Sequence, residues 1–144
     1  MKFTILEPEV AGGLGARTIV DTSRHPPVVS HLHYEFGGWL GDDLLDSFPC
    51  FVASERLAAE LIRSKLTGFT LDDVETSVST EFTELQPHTH LPVFRWLKVV
   101  GQSGVDDLGL DADHKLVVSA TALELLDKFS LIHADRSPYI GRTV

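Results

Sequence analysis

Cys50 to Phe69 reads CFVASERLAAELIRSKLTGF: a short apolar run, a serine, an amphipathic segment and a glycine. Phe51, Val52 and Ala53 predict a buried strand that ends at Ser54. A serine hydroxyl there can accept a hydrogen bond from an unpaired amide of a helix's first turn. Glu55 places negative charge at the positive end of the helix dipole. Leu57, Ala58, Leu61 and Ile62 then fall on one side, with Arg56, Glu60 and Arg63 on the other. Thr67-Gly68 predicts the stop, because glycine adopts the left-handed geometry of a helix end without steric cost.

Residues 115–134, KLVVSATALELLDKFSLIHA, repeat that plan. Placing Ser119 on Ser54 sets Leu116, Val117 and Val118 against the first apolar run. Leu126 then falls on Leu61, Lys128 on Arg63 and Leu131 on Leu66. Ala122, Leu125, Leu126 and Phe129 have the i, i+3, i+4, i+7 spacing of a helix face, and Glu124 and Lys128 form a favourably oriented i, i+4 pair. The chain thus holds two similar strand–Ser–helix units, each laying a helix against a sheet.

Outward from these units, MKFTILEP predicts a first strand stopped by Pro8, and Arg17 to Val20 a short second one. Gly12, Gly13 and Gly15 do not make a dinucleotide loop, since Thr18 stands where the last glycine belongs and a strand follows instead of a helix. Val28 to Phe36 alternates clearly, with Leu32, Tyr34 and Phe36 on one face and His31, His33 and Glu35 on the other. WLGDDLLDSFP, from Trp39, predicts a loop with one helical turn. Phe69 to Thr80 predicts extended chain bent at Asp72-Asp73, Glu81 to Leu91 a polar connection, and Val93 to Gly101 a further strand. The loop from Gly101 to His114 is acidic and turn-rich, and the tail from Asp135 is basic and expected on the surface.

The expected fold is α+β: a single domain over residues 1–144 with a mostly antiparallel sheet of about five or six strands and two main helices. Hydrophobic residues at 43% and charged ones at 23% suit a folded soluble protein. No apolar run is long enough to cross a bilayer, and Glu7 and Glu9 follow the first apolar residues too closely for a signal peptide. One cysteine leaves no internal disulfide, so a cytoplasmic location is expected. A net charge of −9 argues against nucleic acid, whose binding requires cations on phosphates, and suits a basic protein partner.

Asp42, Asp43, Asp46, Asp72, Asp73, Asp106 and Asp107 are the expected acidic contacts for that partner, with Trp39 as an aromatic anchor. The neighbouring aspartates point in different directions, so none forms an acid–base couple by spacing alone. An alternative chemistry rests on His31 and His33, two apart on a strand and roughly 7 Å apart at the backbone, which could share a metal ion. His88 and His90 repeat the spacing in a loop, and Glu35 or His114 would complete a ligand set. Cys50 is a candidate nucleophile only if a histidine lies beside it; between Pro49 and Phe51 it reads more simply as a small buried residue. A homo-oligomeric structural or regulatory module is a third reading.

The opening MKFTILEPEVAGGLG, the segment FGGWLGDDLLDSFPCFVASERLAAELIRSKLTGFTLDDVETS, and the late FRWLKV and LVVSATALELL resemble bacterial immunity-protein families of polymorphic toxin systems. The sharpest part of the resemblance is the strand–Ser–Glu–Arg–Leu helix and the following Thr67-Gly68-Phe69. The later unit departs from it, with Ala120-Thr121 after its serine. The resemblance implies a cytoplasmic protein that binds and neutralises a cognate toxin domain, without catalysis or cofactor.

Overall fold

The computed structural model describes residues 2–140. Its strands are β1 (Phe3–Glu7), β2 (Gly12–Leu14), β3 (Ile19–Asp21), β4 (Val28–His31), β5 (His33–Phe36), β6 (Leu44–Ser47) and β7 (Cys50–Ser54). After helix α1 (Glu55–Arg63) come β8 (Phe69–Asp72), β9 (Glu75–Val78), helix α2 (Thr80–Leu85) and β10 (Phe94–Val99). β11 (Leu108–Leu110), β12 (Leu116–Ser119), helix α3 (Ala120–Leu126) and β13 (Asp135–Pro138) complete the order. The class is α+β, as expected. In place of one sheet of five or six strands and two helices, there are four sheets, mostly antiparallel, and three helices among the described residues.

Two four-stranded sheets carry the fold, in the orders β6-β7-β10-β8 and β11-β12-β1-β13. Each consists of a hairpin, the helix that follows it and the strand after that helix, with one foreign strand inserted between. That strand is exchanged. β1, which leads into the first unit, lies in the second unit's sheet, with Phe3 opposite Ser119 and Leu6 opposite Leu116. β10, which leads into the second unit, lies in the first unit's sheet, with Phe94 opposite Ser54 and Leu97 opposite Phe51. The outer strands match as well: Leu71 of β8 faces Leu97, and Arg136 of β13 faces Leu6. Each lead strand then returns to its own unit through a parallel bridge, Glu9 to Leu45 and Gln102 to Leu110.

The serines act as read from the sequence. Ser54 Oγ accepts from the Leu57 amide at 3.4 Å, and Ser119 Oγ accepts from the Ala122 amide at 3.1 Å. The first helix ends earlier than Gly68. Ser64 closes it, its Oγ donating to the Leu61 carbonyl at 2.7 Å, and Lys65 takes the left-handed turn at φ 61°. Gly68, at φ 99°, serves a crossing instead, since a Cβ there would stand 1.9 Å from the Leu108 carbonyl oxygen.

The main core is built from matched positions of the two units. Leu6 and Leu97, Leu44 and Leu108, Phe51 and Leu116, Ala53 and Val118, Leu57 and Ala122, and Leu61 and Leu126 are all buried in one cluster between the sheets and helices. Burying one such leucine contributes roughly 2 kcal/mol. A second cluster, around Tyr34, Phe36, Val52, Phe82, Phe94 and Trp96, lies on the other face of the β6-β7-β10 sheet. It belongs to an added layer, the β2-β5-β9 sheet with the β3-β4 ribbon and α2, which has no counterpart on the second unit.

Several local expectations change. Val28–Phe36 is two strands in different sheets, parted at the fully buried Leu32. The expected helical turn before Cys50 is β6, whose Leu44 and Leu45 are both buried. The bend at Asp72-Asp73 separates β8 from β9. The polar stretch after it contains α2, capped by Ser79 Oγ, which accepts from the Phe82 amide at 3.1 Å. Only Phe82 is buried in α2, too little apolar spacing to predict a helix. The tail residues of β13 are exposed as expected, yet they pair with β1.

Candidate functional site at the hairpin ends

Most of the expected partner-binding aspartates have structural tasks. Asp42 and Asp43 are buried, which corrects their placement on a binding surface. Asp42 accepts from the amides of Ile132 at 3.0 Å and His133 at 2.7 Å. Asp43 accepts from Ser54 Oγ at 2.5 Å, from the Ser130 amide at 2.8 Å, and from two nitrogens of Arg56 at 2.8 and 2.6 Å. Burial pushes the Asp43 carboxyl up, but the bonds from Arg56, Ser54 and Ser130 outweigh it and hold the group below its ordinary value. Asp107, half-buried, repeats the device in the second unit, accepting from Ser119 Oγ at 2.7 Å and the Thr67 amide at 3.0 Å. Each aspartate therefore ties its own unit's capping serine to the segment that follows the other unit's helix.

Asp106 is half-buried and accepts from the Gln102 amide at 2.7 Å, within its own loop. Asp72 and Asp73 are exposed. Asp72 is held below the ordinary carboxylate range by the Asp73 amide and then by Lys98, 3.1 Å from its oxygen, while Asp73 pairs loosely with Arg95 at 3.9 Å. Trp39 is half-buried, edge-on to Phe94 at 6.1 Å, and its indole nitrogen donates to the Asp42 carbonyl at 2.9 Å. That fixes a loop, so the exposed side chain of the pair is Leu40, at 68%.

His31 and His33 both face β9, but their nitrogens are engaged. His31 Nε2 stands 3.1 Å from Glu75, which also pairs with Arg17. His33 was expected on an exposed face and is buried, its ring filling the space where Gly15 would carry a Cβ. Its Nδ1 accepts from the Arg17 amide at 3.1 Å, and its Nε2 lies 2.7 Å from Ser77 Oγ and 3.4 Å from the Arg17 guanidinium. Both ring nitrogens of His33 are thus engaged within the chain. The guanidinium also opposes a cation between the rings. Among the described residues no group of three or more His, Cys, Asp or Glu side chains could hold a metal ion. His88 and His90 are exposed beyond α2.

The two units agree in the core and diverge where their hairpins turn. By strand register, Asp46 of β6 occupies the place that Leu110 holds in β11, since they face the matched residues Phe51 and Leu116. One step further out, Cys50 matches Lys115, and on the exchanged strands Glu7 matches Lys98. Two adjoining cavities of about 160 and 100 Å³ lie here and share Pro49, Phe51 and His114. His114 packs edge-on against Phe48 at 6.3 Å and His25 at 6.2 Å.

The larger cavity is mainly apolar, with Trp96 and Lys98 on one wall and Cys50 on another. Lys98 Nζ lies 4.4 Å from the Trp96 ring centroid, a cation–π arrangement. Burial pushes the Cys50 thiol up to about 12, with Asp46 adding to it and Lys98 opposing, so the sulfur stays protonated at neutral pH and is no ready nucleophile. The smaller cavity is lined by Glu7, Asp46 and Asp113 together with Lys115, which pairs with Glu7 at 3.4 Å. The Asp46 carboxylate takes part in none of the hydrogen bonds or ion pairs among the described residues. Burial, and then the neighbouring Glu7, push it up to about 6. Such a site can accept a cationic group and has no activated nucleophile of its own.

Of the expected contacts, only Asp46 falls at this cleft. Glu7, Phe48, Asp113 and His114 were not singled out together, because only the strand exchange brings β1 beside the second hairpin. Their signal in the sequence is the misfit of Asp46 when the two units are aligned from Asp43-Leu44 and Asp107-Leu108. No protein-family model, no curated protein and no solved structure matches the chain. Among the described residues, no helix is long and apolar enough to cross a membrane.

Proposed function

We propose that this chain is a non-catalytic binding protein that captures a basic partner domain and neutralises it, neutralisation of a toxin being the role implied by the immunity-protein families its sequence resembles. Its main support is the charge at the hairpin ends, where an unpartnered Asp46 replaces the leucine of the matching unit and shares a cleft with Glu7 and Asp113. A charge set against the core of an otherwise repeated pattern stands for a task other than stability. Among the described residues eight ion pairs already join a Lys or Arg to a carboxylate, so most of the chain's 12 cations are engaged while carboxylates remain in surplus. A basic partner approaching this face is steered by that surplus.

The test is co-expression with the toxic C-terminal domain of a large secreted protein encoded beside the gene. Protection from growth arrest is expected, with a purified complex whose association slows as salt is raised. Absence of both protection and complex would overturn the reading. Replacing Glu7 and Asp46 by their amides is expected to slow association by about tenfold with little change in dissociation.

A further inference from the structure

We infer that Val10, Leu40 and Ile132 form the apolar half of a docking face whose acidic half is the hairpin-end cleft, and that its occupant is a basic protein presenting apolar side chains between its cations. This rests on the binding-protein reading above and names the surface it uses. The three side chains are large, apolar and exposed at 69%, 68% and 81%. Isolated exposed residues of this kind are ordinary, but these three are held together. The Leu40 amide donates to Glu9 Oε2 at 2.8 Å, and Val10 follows Glu9 directly. The Asp42 amide donates to the other Glu9 oxygen at 3.2 Å, and the Asp42 carboxylate in turn accepts from the amide of Ile132.

Glu9 and Asp42 are buried, at 5% and 0% exposure. Burying a carboxylate is costly unless every oxygen is bonded, and here two are used to fix the backbone beneath exposed apolar side chains. A surface held rigid before binding loses less conformational entropy when its partner arrives. The charge of the occupant follows from what adjoins the patch. The Glu9 carbonyl accepts from the Asp46 amide at 2.9 Å, and Glu7 lies three residues before Val10, so the patch runs directly into the carboxylate cleft. Apolar anchors bordered by Asp46 and Asp113, neither in an ion pair among the described residues, fit a partner with apolar residues inside a basic rim.

The test is selection of a random-peptide phage library on the full-length chain. Leu40→Ser with Ile132→Ser is compared with Leu85→Ser, an exposed leucine on α2. Enriched peptides are expected to combine Lys or Arg with aromatic or aliphatic residues. Their affinity should fall about tenfold for the double variant and stay unchanged for Leu85→Ser. Because the replaced side chains are exposed, the melting temperature should not move, which separates lost binding from lost fold. Three results would overturn the assignment: no enrichment, binding indifferent at Leu40 and Ile132, or a self-associating chain that Leu40→Ser turns into a monomer. Failure of growth protection with intact patch-dependent peptide binding would reject the toxin partner and leave the docking face standing.

Discussion

The two strand–Ser–helix units use one plan with different surroundings. Both cap a helix with serine, both brace that serine with an aspartate, and both receive the other's lead strand. The first unit is sealed on its far side by the added layer around Tyr34 and Phe36. The second has no such layer; there the loop after β10 passes close over Gly109, and Ser103 meets Tyr139 at 3.2 Å. Leucines repeat in the core because each sheet must bury the same face. Charges fail to repeat at the hairpin ends, where packing makes weaker demands. Where the shared plan is kept, it serves stability; where it is broken, binding chemistry has room to enter.

The strand exchange is the part of this comparison with the largest consequence. If the lead strands are equivalent, Leu6→Ala and Leu97→Ala should each destabilise the whole chain by about 3 kcal/mol in urea unfolding, through lost burial plus a cavity. Both should leave a single cooperative transition, because each leucine sits in the other unit's sheet. Two separate transitions, or one silent substitution, would break the equivalence.

The bracing aspartates should differ in degree. Asp43→Ala leaves the buried Ser54 hydroxyl and the half-buried Ser130 amide without their acceptor, and the exposed Arg56 without its partner, and should cost about 2 kcal/mol. Asp107→Ala, at a half-buried site with no cation, should cost about 1 kcal/mol. Since the Asp43 carboxyl is held below its ordinary value, its stabilisation is complete above the unfolded value of 3.8 and is lost as pH falls through the lowered folded one. The gap between Asp43→Ala and the parent chain should therefore hold from pH 7 down to about pH 4 and narrow in stronger acid, which urea titrations would measure. Equal costs for the two aspartates at pH 7 would erase the distinction between the units.

Much of the framework was legible in the sequence. Ser54 and Ser119, the buried Leu57, Ala58, Leu61, Ala122 and Leu126 behind them and the α+β class follow from spacing that any sheet-packed helix imposes. Ile62, by contrast, was expected on the inner face and is exposed, and Phe129 lies beyond the end of α3. The exchange was not legible, because β1 and β10 show the same apolar pattern whichever sheet receives them. The Asp42-Asp43 pair read as surface charge, since a carboxylate buried for the sake of backbone amides leaves no mark in composition or period. His33 read as exposed because alternation assigns a face, and it cannot foresee that the turn at residues 15–18, with Arg17, will cover that face. The candidate site was legible in one residue, Asp46, which joined a list with six other aspartates that do different work. Its distinction emerges when the two units are laid over one another and it falls at the place of Leu110.

That mismatch permits the finest test of the comparison. Burial and Glu7 raise the Asp46 carboxyl to about 6, so the folded chain holds this proton more tightly than the unfolded one. Above pH 6 the ionised group opposes folding, and the opposition fades as pH falls from 6 toward 4. Asp46→Asn should therefore raise stability at pH 8 by about 1 kcal/mol, a figure reduced for the carboxylate's partial exposure, and should do nothing at pH 4. Asp46→Leu, which installs the residue of the matching unit, should stabilise at least as much, by filling the position that Leu110 fills in β11. Both substitutions should weaken capture of a basic partner while strengthening the fold, the opposition expected of a charge kept for binding. If both effects run in the same direction, Asp46 is structural, and the difference between the units at their hairpin ends has no bearing on binding.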